Sequence, residues 1–169
     1  MSRSAWASDD VMSHILAALT VPNRLAITVS LITGLRISDV LNLKTDQVRR
    51  CVFTITEQKT LKKRKVRIPH KLSDEILRYA GYIYAFESRS DPRRPRTRQA
   101  VYKDIIRARK AFRLTDKISP HSARKCYAVR EYKKDFDIRR VKRLLNHSSE
   151  AVTMIYAMAD ELTERKKRG

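Results

Sequence analysis

Glycine is nearly missing from this sequence, with three in 169 residues, while apolar side chains recur at helical spacing along most of its length. So few points of backbone freedom, combined with a period near 3.6, confine the chain to a mainly helical fold. One stretch breaks the pattern. In "CVFTITEQKTLKKRKVRIP", β-branched and aromatic residues flank a basic, turn-like centre, which predicts an antiparallel β-hairpin with strands near 51–57 and 64–68. The expected fold class is therefore α+β, mainly helical, with a small antiparallel hairpin at one edge.

Local signals set the expected order of helices. Ser8 is placed to cap "DDVMSHILAAL", whose first turn carries acids where the helix dipole favours them. Pro22 suits the first turn of "VPNRLAITVSLITG", Gly34 suits its end, and its apolar face marks it as the central helix. "RISDVLNLK" restarts as a short helix with Ser38 as its cap, and "SDEILRYAGYIYAF" as another from Ser73, its aromatic end open to an extended reading. After the Pro- and Arg-rich loop "ESRSDPRRPRTRQ", Thr97 opens "RQAVYKDIIRARKAFR". The last third reads as three short helices, "SPHSARKCYAVREYKK", "DIRRVKRLLN" and "SEAVTMIYAM", before a charged tail.

Charge narrows the partners. The 38 Lys and Arg against 18 Asp and Glu give a formal net charge of +20, which calls for a polyanion, with nucleic acid first. The basic residues are spread over nearly every segment, unlike those of a membrane-surface helix, and no apolar run approaches the ~18 residues of a membrane span. The N-terminus lacks the apolar core of a signal peptide, so a cytoplasmic, nucleoid-associated protein is expected. Cys51 and Cys126 lie far apart with no CxxC pairing, which reads as two reduced core thiols and no metal site. At this length one domain is expected.

Five local features could carry chemistry, and each has an ordinary explanation. In "ISPHSARK", Ser119 and Pro120 begin a helix, so His121 and Arg124 share a face near an N-terminus suited to phosphate. Alone, HxxR reads as a solvated helix face. In "TGLRISD", Arg36 follows Gly34 at a helix junction where the chain can approach a ligand closely, although an arginine so placed is, taken alone, more often structural. The hairpin centre supplies Lys59, with Lys62, Lys63, Arg64 and Lys65 beside it for phosphate contacts. In "LNHSSEAVTMIY", His147 precedes a serine cap and Tyr156 follows nine residues later on an apolar helix, where tyrosine is ordinarily a packing residue.

Taken in order, "TGLRISD", a hairpin lysine, "HSAR" and "LNHSSEAVTMIY" resemble the catalytic domain of the tyrosine recombinase (phage integrase) family, from about Ser8 to Tyr156. The resemblance implies that Arg36 and Arg124 grip the scissile phosphate and that Tyr156 is the nucleophile. It further implies that Lys59 protonates the leaving 5′ oxygen, His121 assists proton transfer at the tyrosine, and His147 hydrogen-bonds the phosphate. Asp39 matches an acidic position that braces the arginine region. Asn146 stands where glycine is usual and Ala123 where leucine is usual.

These residue types suit a metal-free, cofactor-free transesterification. Two fixed guanidiniums match the charge that builds on the phosphate oxygens, and a tyrosine with an ordinary pKa near ~10 needs a neighbouring base to attack at neutral pH. A 3′-phosphotyrosyl link conserves the bond for religation. The resemblance implies a site-specific recombinase or integrase acting on double-stranded DNA as a tetrameric synaptic complex, monomeric or weakly associated without DNA. A type IB topoisomerase shares the chemistry, and a non-catalytic basic DNA- or RNA-binding module shares the fold. On this reading residues 1–169 are one C-terminal-type catalytic domain, without the separate core-binding and arm-binding domains of longer members. The charged tail after Tyr156 is a candidate for exchange between protomers.

Overall fold

The computed structural model describes residues 7–115 and 117–146. The expected helix "SEAVTMIYAM", His147, Tyr156 and the charged tail lie outside the described residues. Within them the chain runs α1 (Asp9–Ala18), α2 (Val21–Thr33), α3 (Ile37–Leu41), α4 (Thr45–Arg49), β1 (Val52–Thr56), β2 (Lys63–Arg67), α5 (His70–Leu77), α6 (Arg98–Ala111), α7 (Pro120–Asp135) and α8 (Ile138–Leu144). The α+β, mainly helical expectation holds.

Most helix ends follow the local chemistry. The Ser8 hydroxyl accepts the Val11 N–H, the Thr97 hydroxyl accepts the Ala100 N–H, and the Ser119 hydroxyl accepts the His121 N–H. Pro22 sits in the first turn of α2, and Gly34 closes that helix at φ 68°, a left-handed position natural to glycine. Two expected caps fail. Ser38 lies inside α3, whose cap position is Arg36. Helix α5 begins at His70, so Ser73 falls within it, and the Ser73 hydroxyl instead donates to the Val48 carbonyl at 2.8 Å. The aromatic run after α5 is not helical, and its Tyr84 pairs with Lys44 in an isolated bridge.

The hairpin pairs antiparallel from Val52↔Arg67 to Thr56↔Lys63. Phe53, Ile55 and Val66 point into the core while Thr54, Thr56, Lys63 and Lys65 face out, the alternation a one-sided sheet requires. Helix α2 is the axis of the molecule, packing on α1, α3, α5 and α7. Its Leu25, Ala26, Ile27, Val29 and Leu31 are buried, and a smaller cluster of Tyr127, Ala128, Val129, Val141 and Leu145 ties α7 to α8. Cys51 and Cys126 are free and buried, as the sequence suggests. Among the described residues no helix is long and apolar enough to cross a membrane.

Candidate active site

Gly34 decides where both arginines go. Its left-handed φ ends α2 and turns the chain at once into α3, putting Arg36 at the cap position of α3, 5% exposed. The turn is fixed from inside: the Ser30 hydroxyl donates to the Leu35 carbonyl at 2.7 Å, and the Leu35 N–H donates to the Thr33 hydroxyl at 3.2 Å. The Gly34 carbonyl accepts Nη1 of Arg124, which reaches in from α7 and is 3% exposed. Nη2 of Arg124 donates to the Leu145 carbonyl at 3.2 Å, joining the end of α8 to the same place. That carbonyl lies two residues before His147 in sequence.

The Arg36 guanidinium is held on one side only. Nη1 donates to Oε2 of Glu57 at 2.8 Å, whereas Nε and Nη2, both buried, have no hydrogen-bond partner among the described residues. Nε–H and the adjacent Nη2–H form the parallel edge with which arginine binds two oxygens of one anion. Buried cationic donors are costly to leave unmatched, so this edge is suited to a bidentate anion such as a phosphodiester.

Asp39 lies in the first turn of α3 and in the field of both Arg36 and Arg124, which places the two arginines in one neighbourhood. Burial pushes its carboxyl above the usual range, against the opposing pull of the Gln58 N–H, which donates to Oδ1 at 2.9 Å. That bond secures the turn at the hairpin tip, where the next residue, Lys59, is exposed. His121, half-buried in the first turn of α7, sits one turn before Arg124 on the same helix. Arg36, Arg124, Asp39 and the Lys59 turn therefore meet where α2, α3, α7 and the hairpin converge.

The four basic hairpin residues expected to face DNA do not behave alike. Lys62, Lys63 and Lys65 are exposed. Arg64 turns inward, donating from Nη1 to Glu57 at 3.4 Å and from Nη2 to the Thr33 carbonyl. The two departures from the family pattern find reasons. Asn146 takes φ 55°, a left-handed position where asparagine is the usual substitute for glycine. Ala123 is 1% exposed in the main core, where a small side chain packs.

Sequence reasoning missed Glu57. Its side chain is 0% exposed and accepts from Arg36, Arg64 and Thr60. The available signal was an acid standing alone beside the most basic stretch of the chain, in register with inward-facing Phe53 and Ile55. Among the described residues no group of three or more His, Cys, Asp or Glu could hold a metal ion.

The sequence model of the phage integrase family matches residues 6–162. The probable integrase/recombinase YoeC of Bacillus subtilis (strain 168) is 37% identical over 138 residues, covering 79% of this chain and 75% of that protein. Tyrosine recombinase XerA of Thermococcus kodakarensis is 33% identical over 135 residues, 73% of this chain and 46% of that one. Beyond YoeC, the chain spans about half the length of most curated relatives it matches, 46% to 62%. Among solved structures, a lambda integrase dimer bound to a COC' core site superposes with a TM-score of 0.74 at 23% identity, covering 91% of this chain and 48% of that one. XerA recombinase gives 0.70 at 22% identity, covering 98% and 65%.

Proposed function

The chain belongs to the phage integrase family and has the fold of a tyrosine recombinase catalytic domain, and from that premise we propose that it cuts and rejoins double-stranded DNA through a 3′-phosphotyrosyl intermediate. The observation that carries this reading is the Arg36 guanidinium, clamped at Nη1 by Glu57 with its buried Nε–Nη2 edge unmatched among the described residues.

Arg36 presents its two-pronged edge to the non-bridging oxygens of the scissile phosphate, and Arg124 adds a second guanidinium; both are fixed by packing, so little reorganisation is needed as charge builds on those oxygens. The phenol oxygen of Tyr156 attacks phosphorus as its proton passes to His121. The bond from phosphorus to the 5′ oxygen breaks, and Lys59 supplies the proton that oxygen takes up. His147 donates a hydrogen bond to the phosphate. Attack by another 5′ hydroxyl reverses each step and frees the tyrosine, so no bond energy is lost. Asp39 braces Arg36 and the hairpin tip, and Lys62, Lys63 and Lys65 contact flanking phosphates.

The matched relatives carry integrase and recombinase names, which favours strand exchange over supercoil relaxation by a type IB topoisomerase. One solved neighbour is a lambda integrase tetramer bound to a Holliday junction, and an equivalent DNA-borne tetramer is the assembly proposed for this chain. The relatives' greater length supports assigning it the catalytic part of such proteins.

The test is covalent trapping on a nicked suicide substrate. The wild-type protein is expected to give a protein–DNA adduct, and Tyr156→Phe to bind the DNA while giving none. Adduct formed by the Phe variant would remove Tyr156 as nucleophile.

A further inference from the structure

Resting on the recombinase reading above, we propose that Glu57 is a positioning residue that fixes the turn bearing Lys59 against Arg36, and so sets where the leaving oxygen meets its proton donor. The two partners differ in how firmly they are held. Arg36 is buried where α2 gives way to α3, whereas the hairpin tip projects, with Gln58, Lys59 and Lys62 exposed and Leu61 at 78%. Strand pairing ends at Thr56↔Lys63, so what lies beyond depends on other ties.

Glu57 supplies most of them. Its N–H donates to the Lys62 carbonyl at 3.0 Å and its carbonyl accepts the Leu61 N–H at 2.9 Å, closing the turn. Its carboxylate faces inward: Oε2 accepts from Arg36 Nη1 at 2.8 Å and from the Thr60 hydroxyl at 3.1 Å, and Oε1 accepts from Arg64 at 3.4 Å. The Asp39 bond to the Gln58 N–H secures the other flank. Lys59 is thus bracketed by Gln58 and Thr60, each tied to a carboxylate that also faces Arg36. Misplacing a reacting group by about 1 Å costs on the order of 100-fold in rate, so the tie has kinetic weight.

Glu57→Gln keeps size and shape but removes the charge and turns one acceptor into a donor facing other donors. Adduct formation on ordinary DNA, measured at a temperature where the variant is folded, should slow about 10- to 100-fold, and the Tm should fall because the buried Arg36 and Arg64 guanidiniums lose their shared counter-charge. The discriminating substrate replaces the bridging 5′ oxygen with sulfur, which leaves as a thiolate and needs no proton donor. On it Glu57→Gln should regain most of its lost rate, as should Lys59→Ala, and adding Glu57→Gln to Lys59→Ala should cost little more on ordinary DNA. An undiminished rate for Glu57→Gln, or equal slowing on both substrates, overturns the proposal. Should Glu57→Gln fail to fold, Thr60→Val removes the hydroxyl's bond to Glu57, together with the longer 3.5 Å bond it accepts from the Lys62 N–H, and should show the same sulfur rescue at a smaller loss; a wild-type rate there overturns it. Wild-type protein that forms no adduct on either substrate removes the recombinase reading and Glu57's role with it, while wild-type adduct with an unaffected Glu57→Gln removes only the latter.

Discussion

At Gly34 a single φ angle governs both guanidiniums. The residue sits at φ 68°, its carbonyl holds Arg124, and the chain leaving it delivers Arg36 to the head of α3. A side chain there meets two obstacles. The left-handed region costs an alanine roughly 1 kcal/mol, and its Cβ would stand 2.4 Å from Cδ1 of Tyr127, a buried ring that cannot swing clear without disturbing the α7–α8 cluster. Gly34→Ala should therefore destabilise the domain by about 3 kcal/mol, lowering the Tm on the order of 10 °C. If backbone and ring adjust instead, the Gly34 carbonyl moves and Arg124 with it, so the variant that retains stability should lose adduct formation. A Gly34→Ala protein normal in both calorimetry and adduct assays would contradict this account of the turn.

Among the elements, α2 is anchored from outside itself. Its cap residue Thr20 makes no side-chain cap bond, and the N-terminus is served by Asp104 of α6, whose Oδ2 accepts from the Thr20 N–H, the Thr20 hydroxyl and Asn23 Nδ2, while Oδ1 accepts from Arg107. Burial alone would raise the Asp104 carboxyl, but these bonds outweigh it and hold it below the usual range. A carboxyl depressed by folding stabilises above its unfolded pKa of about 3.9, and that stabilisation is lost as pH falls through the lower folded value. Asp104→Asn should cost about 2 kcal/mol at pH near ~7, and the gap to wild type should close on acidification below about pH 4, measured by urea unfolding across pH. A gap independent of pH would show that Asp104 acts through packing alone. The same distinction between local and distant partners explains what the sequence revealed. Ser8, Thr97, Ser119 and Gly34 were legible because each bonds within its own first or last turn. Ser73 misled because its hydroxyl answers to Val48, 25 residues away, and α4, five residues long, is too short to imprint a period. In the proposed site, Arg36, Lys59, His121 and Arg124 could be picked out as spaced motifs, whereas Glu57 could not, since its carboxylate bonds to Arg36, 21 residues earlier.

At the scale of the whole molecule, the +20 charge sets how the protein should approach DNA, and the hairpin shows that positive charge in the sequence is not all turned toward solvent. Thr56↔Lys63 and Thr54↔Lys65 lie on the outer face of the sheet, so Lys63 and Lys65 extend away from the core, with Lys62 just beyond the strand. Arg64 occupies the alternate position, opposite inward-facing Ile55, and its guanidinium closes on Glu57 and the Thr33 carbonyl. Each lysine–phosphate contact releases counterions and contributes about −0.9 to the slope of log affinity against log salt. Replacing Lys62, Lys63 and Lys65 together by alanine should flatten that slope by about 3 if each meets one phosphate, and should leave the Tm unchanged because their side chains lie outside the packed core. Arg64→Ala should do the reverse: the slope should hardly move, while stability falls because buried Glu57 loses an arginine partner in a site shut off from water. The measurement is DNA binding across a salt series beside thermal unfolding for the same two variants. A slope changed by Arg64→Ala as much as by the lysine triple would mean that the guanidinium leaves Glu57 to reach the backbone of the DNA, and the inward tie would then describe only the protein alone.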